Sequence, residues 1–427
     1  MNGAPEAPDR WSPALRVVFR VGFVYLAVYG LANGNVVFLP LPWVTAWLSK
    51  PWMAAAQAWG PGWFHLSGVA AKWHSGGSGD TALNYVRVLL FAITALAGGA
   101  LWSALDWRRP HYRTLHAWLR LFLRLTVGLT MLVYGFAKLF PLQMRFPSEA
   151  ILGNTVGNSS PMTLLWTFVG LHPSYEMICG AAEALGGVLI LIRRTATLGA
   201  LVSLAVMANV VLYNFFFDVP VKLFSFHTEL ICLVLLLPDV GPLWDLFVRG
   251  RPAQLRGAWV PPLAGRRGRI ALAAVEWTFF GLYLAGLTVL MTLGWRQHLR
   301  AQAPAPILGA WSLQSSSGGP APLSAEGQPL VALYIDDRQQ GFWRAADGAL
   351  WRCNFGYNAD KHELRLGGVG TGLGLFGYSM PDQDHLVLVR EAKKRPLTLR
   401  LQRLPASPPH FLVTRGFHWI NEWGYER

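Results

Sequence analysis

Nine polar side chains interrupt otherwise apolar runs between residues 138 and 229: Lys138, Glu176, Glu183, Asn209, Asn214, Asp218, Lys222, His227 and Glu229. An ionisable group at bilayer depth costs about 3 kcal/mol on insertion scales, so each one is a functional-site hypothesis before it is anything else. Glu183 and His227 are the candidates for handling a proton, since carboxylate and imidazole are the general acids and bases that such a setting tunes. Lys138, Glu176, Asn209, Asn214 and Glu229 are the candidates for holding a polar head group beside them. Plainer readings stand next to these. Lys138, Glu176, Asp218 and Lys222 lie near enough to helix ends to snorkel. Glu183 could be a structural partner of Lys138, and His227 could make one interhelical hydrogen bond. Arg87 and Glu276 are isolated in two further apolar runs, with partners that the sequence leaves open.

Other chemistries lack their residues. His65 and His74 have no second ligand at a metal-binding spacing, and Cys179, Cys232 and Cys353 stand apart, so neither a metal site nor a disulfide framework is expected. Haem, flavin, nicotinamide and iron–sulfur signatures are also missing. A polar pocket of this kind suits the head group of a quinone or another lipid-soluble molecule, and a complete redox enzyme would need a partner carrying the electron-transfer centre.

The elements that must position these groups are membrane spans. The chain has 427 residues, 53% hydrophobic and 14% charged, which is more apolar surface than one soluble core requires. Seven runs approach the length needed to cross hydrocarbon, at about 14–35, 82–104, 118–140, 174–192, 196–217, 222–240 and 270–293. Arg10, Arg108, Arg109, Arg113, Arg193, Arg194, Arg249, Arg251, Arg256, Arg266, Arg267 and Arg269 fall in alternate connections, whereas the others hold Lys50, Lys72, Arg145 and Lys222. Twelve basic residues against four place the N-terminus in the cytoplasm and the C-terminus outside. All nine polar groups then lie in the outer half of the bilayer, Glu183 roughly 13 Å and His227 roughly 7 Å below the outer ends of their helices at 1.5 Å per residue. The first span is longer than a signal-peptide core and is read as an uncleaved anchor.

The net charge of +14 is not a nucleic-acid footprint. From residue 305 onward thirteen Lys or Arg face eleven Asp or Glu, so the excess sits in the hydrophobic part as topogenic charge. The segment 36–81 carries six tryptophans, and its Pro and Gly residues break any further span; it is expected at the outer interface. Beyond residue 305, alternating runs such as PLVALYI, HLVLV and LTLRL predict an antiparallel barrel or sandwich. The run HFLVTRGFHWI is read as its last strand, and the ending with His418, Trp419, Asn421, Glu422, Trp423 and Tyr425 as an aromatic plug or a docking face. Gly309 and Trp311, with Arg415, faintly resemble the Gly-x-Trp and closing Arg of lipocalin-like barrels.

The text of residues 118–240 resembles the DoxX family of bacterial four-helix membrane proteins: RLTVGLTMLVYGFAKLF, GAAEALGGVLILIRRTATLGALVSLAVMANVV and FSFHTELICLVLLLPD. Gly135, Lys138 and Leu139, then Glu183, Gly186 and Gly187, carry the resemblance. It implies a membrane subunit linked in some relatives to quinone-dependent thiosulfate oxidation or thiol redox balance. The expected organisation is two helices with a Trp-rich connection (1–117), a DoxX-like four-helix unit (118–240), an Arg-rich cytoplasmic loop (241–269), a seventh span (270–293) and an extracytoplasmic β domain (305–427). The fold class is therefore a membrane α-helical bundle plus an antiparallel β barrel or sandwich. The expected function is that of a subunit in a periplasm-facing redox or sulfur-metabolism assembly, with lipid and other protein subunits as partners, the latter through the β domain. Alternatives are a self-contained membrane enzyme resembling vitamin K-dependent carboxylase-like proteins, or a lipid or small-molecule carrier.

Overall fold

The computed structural model describes residues 10–33, 42–73, 78–255, 265–319, 322–324, 326–368, 374–390 and 396–415. His74, Arg256 and the ending from residue 416 lie outside them. The chain divides into two compact units, Met1–Leu139 with Met177–Thr288 and Phe140–Glu176 with Val289–Arg427.

The first unit is helical: α1 (Pro13–Ala32), α2 (Pro42–Phe64), α3 (Ala82–Leu105) and α4 (Arg113–Leu139) come first in the chain. The short helices α5 (Glu149–Leu152) and α6 (Pro161–Gly170) follow and belong to the second unit. Then come α7 (Pro173–Leu191), α8 (Ala196–Phe216), α9 (Lys222–Leu236), α10 (Val240–Phe247) and α11 (Gly265–Ala301). Among the described residues, seven helical stretches are long and apolar enough to cross a membrane, and they coincide with the seven runs read from the sequence. Helix starts follow ordinary capping chemistry. The Ser12 hydroxyl accepts from the Leu15 amide and Thr81 from Asn84, each satisfying a donor that the first turn cannot.

The Trp-rich segment is helical although α2 is not among the helices apolar enough to count as a span: it runs for 23 residues through Pro51 and Pro61. Proline removes one amide donor and usually ends a helix, but tertiary packing overrides that cost. Ala56 is fully buried against Val86 and Leu90, and Trp52 meets Phe91 edge to face at 4.9 Å.

Glycines set the spacing of α4 and α7. A Cβ on Gly135 would stand 2.7 Å from the Ala184 nitrogen, one on Gly180 would stand 2.6 Å from the Gly135 carbonyl, and one on Gly187 would stand 2.8 Å from that of Gly128. The two backbones thus touch along seven-residue repeats on each helix, Gly128 and Gly135 facing Gly180 and Gly187. This is the small-residue packing of membrane helices. Gly186 points elsewhere, where a Cβ would meet the Ser203 hydroxyl of α8 at 2.6 Å.

The second unit holds a closed barrel of eight antiparallel strands in sequential order, β1 (Gly309–Ser317), β2 (Leu330–Ile335), β3 (Gln340–Ala345), β4 (Leu350–Asn358), β5 (Glu363–Gly368), β6 (Gly374–Ser379), β7 (His385–Arg390) and β8 (Leu397–Arg403). β1 pairs with β8, Trp311 opposite Arg403, so closure leaves no free edge. The interior is filled by side chains that include Trp311, Trp343, Leu364, Phe376 and Leu399, all fully buried. The segment expected as the last strand instead forms a helical turn, α12 (Phe411–Thr414). The arginine over Trp311 is therefore not Arg415 but Arg403, 4.2 Å from the ring centroid. Its guanidinium donates to the carbonyls of Gln383, Leu308 and Pro306, while the indole donates to Ile307.

The segment between α4 and α7 packs on the barrel within this unit. Ala150 is fully buried with Ala332, Tyr334 and Phe342. Arg145 pairs with Asp337 at 3.5 Å, and Arg344 donates to the Gly153 carbonyl.

Because the strand ladder closes on itself, the exported fragment 305–427 is expected to give a folded β signature by far-ultraviolet circular dichroism. In it, Trp311→Ala should cost about 3–5 kcal/mol of unfolding free energy and Arg403→Leu about 2–4 kcal/mol, read by urea titration. An unstructured fragment would make residues 140–176 a requirement for folding.

Candidate functional site

The glycine contacts carry Lys138, in the last turn of α4, against Glu183 in the middle of α7. Lys138 Nζ donates to Glu183 Oε1 at 2.5 Å, with both side chains about 95% buried. Glu183 Oε2 is equally buried and has no hydrogen-bond partner among the described residues. Tyr134, one turn before Lys138, and Tyr213 of α8 both lie within electrostatic range of Glu183. A buried ion pair with one open carboxylate oxygen, and with unused N–H donors on the ammonium, can donate to a carbonyl and accept from a hydroxyl at one place.

His227 of α9 forms a second constellation. Its Nδ1 lies 2.6 Å from the Leu223 carbonyl, which can only accept, so that nitrogen carries the proton. Nε2 is then an acceptor, and the Tyr25 hydroxyl donates to it at 2.6 Å. Tyr29 stacks on the imidazole at 4.0 Å and 9°. Arg87 lies in electrostatic range of Tyr29 and donates to Asn33 Oδ1 at 2.9 Å. Tyr134 is also in electrostatic range of Tyr29, and its ring lies against Phe224 of α9 with centroids 5.8 Å apart.

The other residues named from the sequence separate. Asn214 is 1% exposed and neither of its amide atoms has a hydrogen-bond partner among the described residues. Such an orphan calls for a ligand or water. Asn209 is exposed, because it falls on the outer face of α8, and does not belong to the site. Glu176 is fully buried, but its Oε1 accepts the amides of Gln143 and Met144 and so fixes the chain after α4. The seven-residue spacing from Glu183 suggested a shared face; the local backbone donors take Glu176 instead, in the second unit. Glu229 is half-buried and joins neither constellation. Lys222 pairs with Asp218 at 2.6 Å. Glu276 pairs with Arg193 and not with Arg87.

Sequence reasoning missed Tyr25, Tyr29, Tyr134 and Asp80. The tyrosines read as ordinary interior aromatics, since nothing local marks them. Asp80 accepts the amides of Lys222 and Leu223 at 2.7 and 3.0 Å, capping α9 from 142 residues away and so orienting His227.

The second unit has a cavity of its own, 410 Å³, with a mostly apolar lining to which Ser148, Glu149, Asp336, Arg403 and Ser407 add polar groups. Burial pushes the Asp336 carboxyl up to about 7; the Ser148 hydroxyl opposes this, while the charges of Asp337 and Glu149 add to it.

Fold and site together define a class: an α-helical bundle with a buried Lys–Glu pair and a Tyr–His–Tyr stack, joined to a closed eight-stranded barrel. No family model matches the chain, and no solved structure does. The chain is 35% identical over 124 residues to the uncharacterized protein YwoB of Bacillus subtilis, covering 29% of this chain and 79% of that protein. It belongs to the family of YwoB.

Removing one partner of the ion pair, by Glu183→Leu or Lys138→Met, leaves an uncompensated buried charge worth about 3–5 kcal/mol, whereas replacing both should restore most of the stability. Thermal unfolding of the three variants in detergent measures this. For Asp336, a folded-state pKa above the unfolded value means that the native state binds the extra proton. Its contribution is therefore fully present below about pH 4 and is lost as pH rises to about 7. Asp336→Asn should abolish that part of the decline in thermal midpoint between pH 5 and pH 8.

Proposed function

We propose that the chain is a multi-pass subunit of a bacterial cytoplasmic membrane which binds the head group of a quinone, or of a comparable lipid-soluble molecule, beside Glu183 and Lys138. The observation that carries this reading is the open Glu183 Oε2, buried next to an ammonium with spare donors. A quinone carbonyl accepts from Lys138 Nζ, and the hydroxyl of the reduced form donates to Glu183 Oε2. Oxidation of a hydroquinone releases two protons and two electrons. Glu183 and His227 are placed to receive protons. The electrons pass to a centre on a partner subunit, for which the barrel is the docking candidate.

The reading accords with the resemblance to DoxX proteins: of the six residues that carry it, Lys138 and Glu183 form the pair and Gly135 and Gly187 the helix contact, while Gly186 faces α8. The filled barrel interior disfavours carriage of a lipid inside the barrel. The arginine asymmetry supports a cytoplasmic N-terminus and an extracytoplasmic barrel.

Wild-type protein extracted in mild detergent should retain quinone, measured by extraction and chromatography. The doubly replaced Glu183→Leu, Lys138→Met protein should keep its thermal midpoint and lose the quinone. Equal retention in both would remove the site from the reading. For topology, Ser407→Cys should react with an impermeant thiol reagent in intact spheroplasts and Arg251→Cys should not. Both variants carry Cys179→Ser, because Cys179 is half-buried, whereas Cys232 is buried and burial pushes the Cys353 thiol up to about 12.

A further inference from the structure

A cavity of 420 Å³ lies in the first unit between α4, the turn after α7, and α11. Its walls are mostly apolar. Leu121, Leu125 and Leu129 run along α4 at four-residue intervals, a stripe of about 12 Å. Trp277 and Phe280 of α11 face it. One end differs in kind: Arg124, Arg193 and Arg194 meet there, with Glu276 as the single carboxylate of the lining. Arg193 pairs with Glu276. Arg124 is 6% exposed and gives Nε and Nη2 to the carbonyls of Ile190 and Leu191, so its charge is fixed in place by the end of α7. Arg194 is exposed at the rim.

The lining therefore holds three guanidinium groups against one carboxylate at the mouth of an apolar slot. Guanidinium matches phosphate oxygens in a bidentate fork, and the slot below accepts hydrocarbon. We infer that this cleft is a binding site for an anionic phospholipid, with the phosphodiester at Arg193 and Arg194 and an acyl chain along Leu121, Leu125 and Leu129. The net charge of the rim selects an anionic over a zwitterionic head group, and the length of the stripe selects a lipid over free phosphate. The inference rests on the membrane placement proposed above, but not on the quinone site. The Glu183, Lys138 double replacement leaves the cleft intact, so the two can fail separately.

The test uses delipidated full-length protein in detergent, titrated with phosphatidylglycerol, phosphatidylcholine or soluble glycerol phosphate, with bound lipid counted by native mass spectrometry and stability read as the thermal midpoint. Phosphatidylglycerol should bind at least tenfold more tightly than phosphatidylcholine and raise the midpoint, while glycerol phosphate should do neither. Arg194→Gln, a rim change that leaves the helix contacts alone, should reduce the preference to within about threefold. Arg108→Gln, an exposed arginine outside the cleft, should leave it unchanged. Equal binding of the two lipids overturns the proposal. So does an unaltered preference in Arg194→Gln, or an equal loss in Arg108→Gln, which would trace the effect to general surface charge. Stabilisation by glycerol phosphate alone would overturn the lipid in favour of a phosphate site.

Discussion

The pairing of Lys138 with Glu183 is the constraint from which the helical unit is best understood. Two opposite charges buried to about 95% repay their desolvation only at close range and in fixed geometry. The chain meets that demand through backbone contact, since Gly128 and Gly135 of α4 lie against Gly180 and Gly187 of α7 with no room for a Cβ. Ridges of larger side chains would hold helices 8–10 Å apart. Close backbone approach instead lets both side chains be buried and held in one short contact. The pair and the glycines are thus one device, and Tyr134 and Tyr213 are placed around it as a consequence.

Closure does for the barrel what the ion pair does for the bundle. Arg403 sits on the strand that seals the ring and, through three carbonyl contacts, ties β8 to the chain entering β1 and to the loop before β7. Its position over Trp311 shields the indole, which in turn fills the base of the core. The interior is filled by the apolar cluster, and the cavity of this unit has residues 148 and 149 and the segment after β8 among its walls.

The sequence revealed most of this where the signal is periodic or compositional. All seven apolar helices and six of the eight strands were legible as runs. QGFWRA and GLFGYS escaped because glycine interrupts the alternation that marks a strand. α2 escaped because Pro51 and Pro61 oppose it locally and only packing against α1 and α3 restores it. At the site, the pairing of Lys138 with Glu183 was readable, since charge inside an apolar run has few explanations. Glu176 was misplaced for a reason no pattern holds: its partners are backbone amides, which carry no residue identity. Arg415 was chosen over Arg403 because helical turn α12 displaced the expected last strand.

Tyrosines stand beside both polar groups, and at the histidine they fix its hydrogen bonding. With Leu223 holding Nδ1–H of His227, only Nε2 can gain a proton, and Tyr25 is already donating to it. Protonation of Nε2 makes it a donor, so the Tyr25 hydroxyl must turn from donor to acceptor and present its own hydrogen elsewhere. Tyr29, stacked on the same ring, senses the new positive charge directly, and Tyr134 stands in range of both Tyr29 and Glu183. α9, which carries the histidine, is held in register by the Asp80 cap. That a single aspartate far off in sequence orients the histidine explains why the loop leading into α3 belongs to the chemistry of the site although none of its residues enters it.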